Sequence, residues 1–212
     1  MSGEVVLYDY WRSSAAYRVR IVLNLKGVAY RAIPVDLVKG EQAAADYVGL
    51  NHQGLVPTLL IDGHTLTQSL AIIDYLDVRY ENPPMVSPDP AVRSRILAQA
   101  LVIAADIHPI NNLRVLNYLR SELGADQDAV TRWYHHWIIE GLRALEIDAP
   151  ESGLMGGDLP NLADVCLVPQ MANARRFAVP LEGFPKLVAI DERLRTLPAF
   201  AAAAPEAVAP PS

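Results

Sequence analysis

Apolar and polar residues alternate around Val5 and Leu7, which predicts a short strand that ends at the segment Asp9-Tyr10-Trp11-Arg12. Ser13 or Ser14 then caps a helix in which Val19, Val22 and Leu23 recur at helical spacing, and Gly27 falls just past its end. Tyr30 to Val35 reads as a second strand, and Glu41 to Tyr47 as a weak alanine-rich helical turn. Thr58-Leu59-Leu60-Ile61, Asp62-Gly63 and Thr65-Leu66-Thr67 predict a hairpin, because Asp-Gly supplies the positive φ angles of a tight turn. Ser69 opens a further helix, Leu70 to Tyr80, with Ile72, Ile73 and Leu76 on its inner face. The order β-α-β-α-β-β-α builds a small mixed α/β layer over residues 1–82.

Prolines at 83, 84, 88 and 90 stop the helical pattern and mark a linker over 83–90. From 91 to 212 the chain is almost wholly helical, in stretches over 91–123, 127–147, 162–177 and 184–196. Pro109 and Pro169 should kink two of these or break their hydrogen-bond ladders. The Ala/Pro-rich end, from about 201, reads as a frayed tail.

Composition narrows the function classes. Of 212 residues 51% are hydrophobic and 20% charged, enough to bury a real core. A net charge of −6 argues against a nucleic-acid carrier or a polybasic membrane-surface protein. No apolar run approaches the ~18 residues of a membrane span. The opening Met-Ser-Gly-Glu carries no basic or apolar leader pattern, so a cytoplasmic location is expected. The single cysteine, Cys166, excludes a disulfide framework, reads as a small buried side chain and leaves no cysteine-rich metal site. All but three of the 18 basic residues are arginine, the better fork for a planar carboxylate.

Three segments carry candidate chemistry. A strand running into a helix through Ser13-Ser14 offers backbone N–H groups, hydroxyls and the positive end of the helix dipole to an anion such as a thiolate. A redox site of the glutaredoxin type would place Cys-x-x-Cys there, and this junction has no cysteine. In Leu55-Val56-Pro57-Thr58 a cis bond would turn the Val56 main chain outward for pairing with an extended peptide. Gln68-Ser69 offers an amide, a hydroxyl and free N–H groups to a carboxylate. Serines at helix starts are also ordinary caps, and a proline is common at a strand's first residue. His135-His136 beside Trp133 and Trp137 face different ways on a helix, so the tryptophans read as core and the histidines as solvated.

Together, Ser13-Ser14-x-x-Tyr17-Arg18-Val19-Arg20-Ile21, Leu55-Val56-Pro57-Thr58-Leu59 and Gln68-Ser69-Leu70-Ala71-Ile72-Ile73-x-Tyr75-Leu76 resemble the zeta class of glutathione transferases. The likeness continues through Asp106 to Leu116, through Leu162 to Gln170, and ends with Asn173-Ala174-Arg175-Arg176-Phe177. It implies a thioredoxin-like α/β domain followed by an all-α domain, and a homodimer. The class includes maleylacetoacetate and maleylpyruvate isomerases. Asn161 with Asp164 matches a capping box of the transferase type, with aspartate in place of the usual glutamate.

The resemblance further implies glutathione as cofactor. Ser13 and Ser14 would be catalytic, with Val56, Pro57, Gln68, Ser69, His108, Asn112 and Arg114 as further cofactor contacts. A dicarboxylic-type substrate would fall to Arg12, Arg114, Arg175 and Arg176, with no metal. His108 and Asn112, four residues apart, are expected on one helix face. The class usually has Ser-Ser-Cys where this chain has Ser13-Ser14-Ala15; the alanine removes the auxiliary thiol and leaves the glutathione-thiolate mechanism that the resemblance implies standing. The implied activity is cis–trans isomerisation of maleylacetoacetate. The alternatives are maleylpyruvate isomerisation, glutathione transfer to α-haloacids and a non-catalytic glutathione-fold binding protein.

Overall fold

A computed structural model describes residues 4–210, so the opening residues on which the leader argument rests and the last two of the tail lie outside it. The chain divides into two units, one running to Met85 and resuming at Thr196, the other spanning Val86–Arg195.

The first unit is built on a four-stranded sheet in the order β2-β1-β3-β4. β1 (Val6–Asp9) pairs in parallel with β2 (Arg31–Pro34) and antiparallel with β3 (Thr58–Ile61), which forms a hairpin with β4 (His64–Thr67). The hairpin turn works as its sequence requires, with Asp62 at φ 50° and Gly63 at φ 79°. α1 (Ser14–Leu25) starts at an extended Ser13 whose Oγ accepts the Ala16 N–H at 3.2 Å. It stops where Gly27 takes φ 64°. A short helix α2 (Ala45–Leu50) precedes β3, and α3 (Ser69–Arg79) follows β4 and packs on α1. Lys26, its side chain wholly buried, donates to Asp77 Oδ1 and to the Tyr80 and Pro83 carbonyls, fixing the exit of α3.

The segment from 201 to 210 does not fray. Within the first unit the chain forms the short helices α9 (Pro198–Ala201) and α10 (Pro205–Val208), with Phe200 and Ala203 fully buried. α1 holds this segment through its carbonyls: Asn24 Nδ2 donates to Ala199 O at 2.9 Å and Arg20 Nε to Ala203 O at 2.9 Å. Two buried anchors and satisfied backbone acceptors outweigh the loose composition. The helical unit accordingly ends at Arg195 rather than running to the C-terminus.

In the second unit α4 (Pro90–Leu101) starts at Asp89, whose carboxylate accepts two backbone N–H groups. It passes into a π-helical stretch, Val102–Ile107, and a 3-10 turn, Pro109–Asn111, before α5 (Leu113–Ser121). The ladder therefore breaks at Pro109. At Pro169 it does not: α7 (Leu162–Arg176) runs through that residue, buried from Leu162 to Met171 between α4 and α8 (Pro185–Arg195). α6 (Gln127–Asp148) approaches the π-helical stretch closely, since a Cβ on Gly141 would sit 2.3 Å from Ile107 Cδ1.

Among the described residues one helical run, Pro90–Ser121, is long and apolar enough by length and composition to cross a membrane, contrary to the reading from apolar runs. Its longest uninterrupted apolar stretch, Ala100 to Ala105, is far shorter than a span, and alanine and isoleucine spread along the rest raise the mean. Its first part, α4, packs on α7 within the unit.

The capping box at the start of α7 is present: Asn161 Oδ1 accepts from Ala163 and Asp164, and Asp164 accepts the Asn161 N–H in return. Asp164 also accepts from Met155 and Gly156 at 2.9 Å each. Burial, opposed by these three donors, pushes its carboxyl up to about 6 from 3.8. The folded chain thus holds a proton that the unfolded chain releases between pH ~4 and ~6. This contribution is fully present below the unfolded value and is lost as pH rises through the folded one. Urea titrations should show the stability of wild type relative to Asp164→Asn falling by up to about 3 kcal/mol across that window. A difference that stays constant or grows with pH would contradict the assignment.

Candidate active site

Sheet topology gathers the three segments of the first unit. Tyr8 is paired with Thr58, and Thr58 with Thr67. The residues leaving β1, those entering β3 and those leaving β4 therefore emerge at the same end of the sheet. Tyr10 to Ser13, Val56-Pro57 and Gln68-Ser69 share that end.

Each segment is prepared differently. The Ser13 hydroxyl takes the Ala16 N–H on its oxygen, which leaves its proton for an outside acceptor at the N-terminus of α1. Ser14 is buried at 7% exposure, so Ser13 is the hydroxyl presented outward. Arg12 is exposed, its guanidinium 4.1 Å above the Trp11 ring. The Val56-Pro57 bond is cis. Among the described residues no backbone hydrogen bond uses the Val56 N–H or C=O. Gln68 sits at φ 66°, ψ 115°, a backbone region that L residues rarely adopt, and its Nε2 donates to Gln53 Oε1 at 2.8 Å. Ser69 is buried, and its Oγ accepts from Arg18 Nη1 at 3.3 Å, tying α1 to the start of α3.

The remaining candidates belong to the second unit. His108 and Asn112 do not share a helix face: the 3-10 turn intervenes, and Asn112 is an extended cap whose Oδ1 accepts the Arg114 N–H. Pro109, with no N–H to donate, resets the backbone between them. Arg114 is exposed on α5. Arg175 is turned to the fully buried Asp191 at 2.6 Å, within a pair that burial alone would disfavour. Its neighbour Arg176 is exposed, its guanidinium 4.8 Å above the Phe177 ring. The structure thus separates two adjacent arginines: Arg175 is paired with Asp191, and Arg176 lies over Phe177 with a side-chain hydrogen bond to Tyr134.

The tryptophans depart from the core reading. Trp137 is 37% exposed, and Trp133 is half-buried with its Nε1–H on the Ile110 carbonyl at 3.0 Å. His135 is not simply solvated, since its Nε2 lies 2.8 Å from the Phe177 carbonyl. Cys166 is buried. Among the described residues no cluster of metal-ligating side chains occurs.

A βαβ-ββα sheet unit with a serine at the first helix start, followed by a helical unit, is the architecture of the glutathione transferases. The family model for the glutathione S-transferase N-terminal domain matches residues 3–78. The chain is 50% identical over 207 residues to a probable maleylacetoacetate isomerase of Vibrio cholerae, covering 95% of this chain and 96% of that one. Among solved structures it is similar to a holo maleylpyruvate isomerase, a bacterial zeta-class enzyme. That match has 42% identity and a TM-score of 0.94, covering 98% of this chain and 100% of the other. It also resembles a maleylacetoacetate isomerase from Methylobacterium extorquens AM1 solved with bound malonate and glutathione. There the identity is 36% and the TM-score 0.92, over 95% of this chain and 97% of that one. The chain belongs to the zeta-class glutathione transferase family of maleylacetoacetate and maleylpyruvate isomerases.

Proposed function

We propose that this protein is a glutathione-dependent cis–trans isomerase converting maleylacetoacetate to fumarylacetoacetate in aromatic catabolism. The observation that carries the reading is the Ser13 hydroxyl, its oxygen on the Ala16 N–H at the N-terminus of α1, at the same sheet end as the Val56 main chain, which no backbone hydrogen bond among the described residues uses. Those groups fit glutathione: an extended tripeptide pairs with the Val56 main chain, and its carboxylate with Gln68, Ser69 and the start of α3. When bound, glutathione supplies a thiolate that adds to the cis double bond, lets the resulting single bond rotate, and leaves again.

The chain's own groups serve that chemistry. Ser13 donates its hydroxyl proton to the sulfur, and the α1 dipole favours the anion over the thiol. Ser14, the first residue of α1, is buried beside it. The substrate's acidic ends call for cations, and Arg12, Arg114 and Arg176 are exposed to provide them. His108, Asn112 and Arg114 remain cofactor contacts in this reading.

Arg176→Ala should raise KM for the acid by about tenfold, the loss of one charge-assisted hydrogen bond, while sparing KM for glutathione. Steady-state kinetics with each component varied checks this. Equal losses in both constants would remove Arg176 from the substrate's side.

A second reading, maleylpyruvate isomerisation, is supported by the likeness to the holo maleylpyruvate isomerase. The two substrates share the cis-enediacyl core and differ beyond the ketone. Following both by absorbance, with and without glutathione, separates them: turnover of maleylacetoacetate only with glutathione is expected. A higher kcat/KM on maleylpyruvate would favour the second reading, and turnover independent of glutathione would overturn both.

The reading carries a homodimer in the cytoplasm, where reduced thiols persist. In support, only 33% of the most apolar window of Pro90–Ser121 is buried within the chain, and Leu101, Leu113 and Tyr118 stand exposed.

A further inference from the structure

The Val56 main chain is not left open by default; it is aimed. The residue before it, Leu55, has its carbonyl held by two buried side chains, Tyr47 Oη at 2.7 Å and Asn51 Nδ2 at 2.7 Å. Proton counting makes this arrangement unique. Tyr47 has one hydroxyl proton, given to Leu55 O, so the 2.9 Å contact between Tyr47 Oη and Thr58 Oγ1 is donated by the threonine. Thr58 Oγ1 then accepts the second Asn51 Nδ2 proton at 3.2 Å. All these donors are used, and none of the groups involved is charged.

The consequence lies in the peptide plane. The 55–56 bond is trans, because the cis bonds among the described residues are Val56-Pro57 and Asn82-Pro83. In a trans peptide the C=O and the following N–H point in opposite directions. Drawing the Leu55 carbonyl in toward Tyr47 and Asn51 therefore turns the Val56 N–H away from them. Asn51 reaches the other segment as well. Its Oδ1 accepts the Gln53 N–H at 3.1 Å, and Gln53 Oε1 receives the Gln68 Nε2–H at 2.8 Å.

We propose that Asn51, aided by Tyr47, is the positioning residue of the glutathione subsite, setting the Val56 N–H for the cysteinyl part and Gln68 for the γ-glutamyl part of the tripeptide. It touches no reacting atom, and it works through the two main-chain and side-chain groups that do the binding. The inference rests on the reading that glutathione is bound here.

S-methylglutathione is the probe, since it has no ionisable thiol and so leaves the role of Ser13 out of the measurement. By calorimetry, Asn51→Ala should weaken its Kd about tenfold and Tyr47→Phe about threefold, the cost of losing one or two neutral hydrogen bonds. In turnover, Asn51→Ala should raise KM for glutathione by a similar factor with a much smaller change in kcat. Asn51→Asp, which keeps the acceptor for Gln53 but loses both donors, should bind as weakly as the alanine variant. A folded Asn51→Ala with Kd within twofold of wild type overturns the inference and leaves the function standing. If that variant does not fold, an unchanged Kd in Tyr47→Phe overturns it equally. A wild-type protein that takes up no S-methylglutathione overturns the function, and this inference with it.

Discussion

Replacing Ser13 by alanine should lower turnover with glutathione by about tenfold to a hundredfold, the worth of one hydrogen bond to a charged group. The Ser13 oxygen accepts the Ala16 N–H at 3.2 Å, so the cap fixes where the oxygen sits, and what the substitution removes from the sulfur is its proton donor. Alanine also removes the cap itself, worth about 1 kcal/mol of helix stability. Ser13→Gly separates the two effects, because glycine costs a cap position only a few tenths of a kcal/mol. The glycine variant should melt close to wild type and still lose turnover as the alanine variant does. Titration of the bound thiol by its ultraviolet absorbance should show the thiolate appearing at higher pH in both. Turnover at the wild-type rate in Ser13→Gly would remove the hydroxyl from the mechanism.

Arg20→Met should destabilise the protein by about 3–5 kcal/mol, the range for breaking a buried ion pair from one side. Arg20 is fully buried and binds both oxygens of Asp9, at 2.6 and 2.8 Å. It also donates to Trp11 O at 3.1 Å and Ala203 O at 2.9 Å. One side chain thus holds the strand end, the turn leading to Ser13 and the returning C-terminal segment. Burial pushes the Asp9 carboxyl up, against the pull of the Arg20 charge. Without that charge the carboxyl would take up a proton at higher pH, so the loss of stability in Arg20→Met should shrink on acidification. Asp9→Asn/Arg20→Met, with no stranded carboxylate, should recover much of the loss in urea unfolding. Limited proteolysis of the single variant should cut first near residue 196, where the chain re-enters the first unit. A double variant as unstable as the single one would refute the stranded-charge account.

Sequence patterning and structure part company in instructive places. The Asp-Gly hairpin, the Ser13 cap and the Asn161/Asp164 box were legible because each depends on residues within a few positions of one another. The tail departs from its Ala/Pro composition because composition describes the average residue, whereas docking rests on Phe200 and Ala203 and on carbonyls that any residue carries. A spacing of four puts His108 and Asn112 on one face only of an unbroken helix, and Pro109 breaks this one. The arginine pair shows the same limit from the other side: Arg175 and Arg176 are adjacent, and only Asp191 on another helix decides which is bound inward. Asn51 and Tyr47 gave almost no signal beforehand. An asparagine and a tyrosine near a loop are ordinary, and their importance comes from a backbone carbonyl, which no side-chain pattern records.

By itself the sequence determined the elements of the first 82 residues, their order and the chemical types at the sheet end, because cap, turn and periodicity preferences act between near neighbours. Its motifs also identified the family. The tertiary structure decided direction: which serine faces out, which arginine is turned inward, where the chain's end returns, and which way the Val56 N–H points. Those choices depend on partners in other segments, from Asn51 four positions before Leu55 to Arg20, 183 positions before Ala203, whose proximity and orientation exist only once the chain has folded.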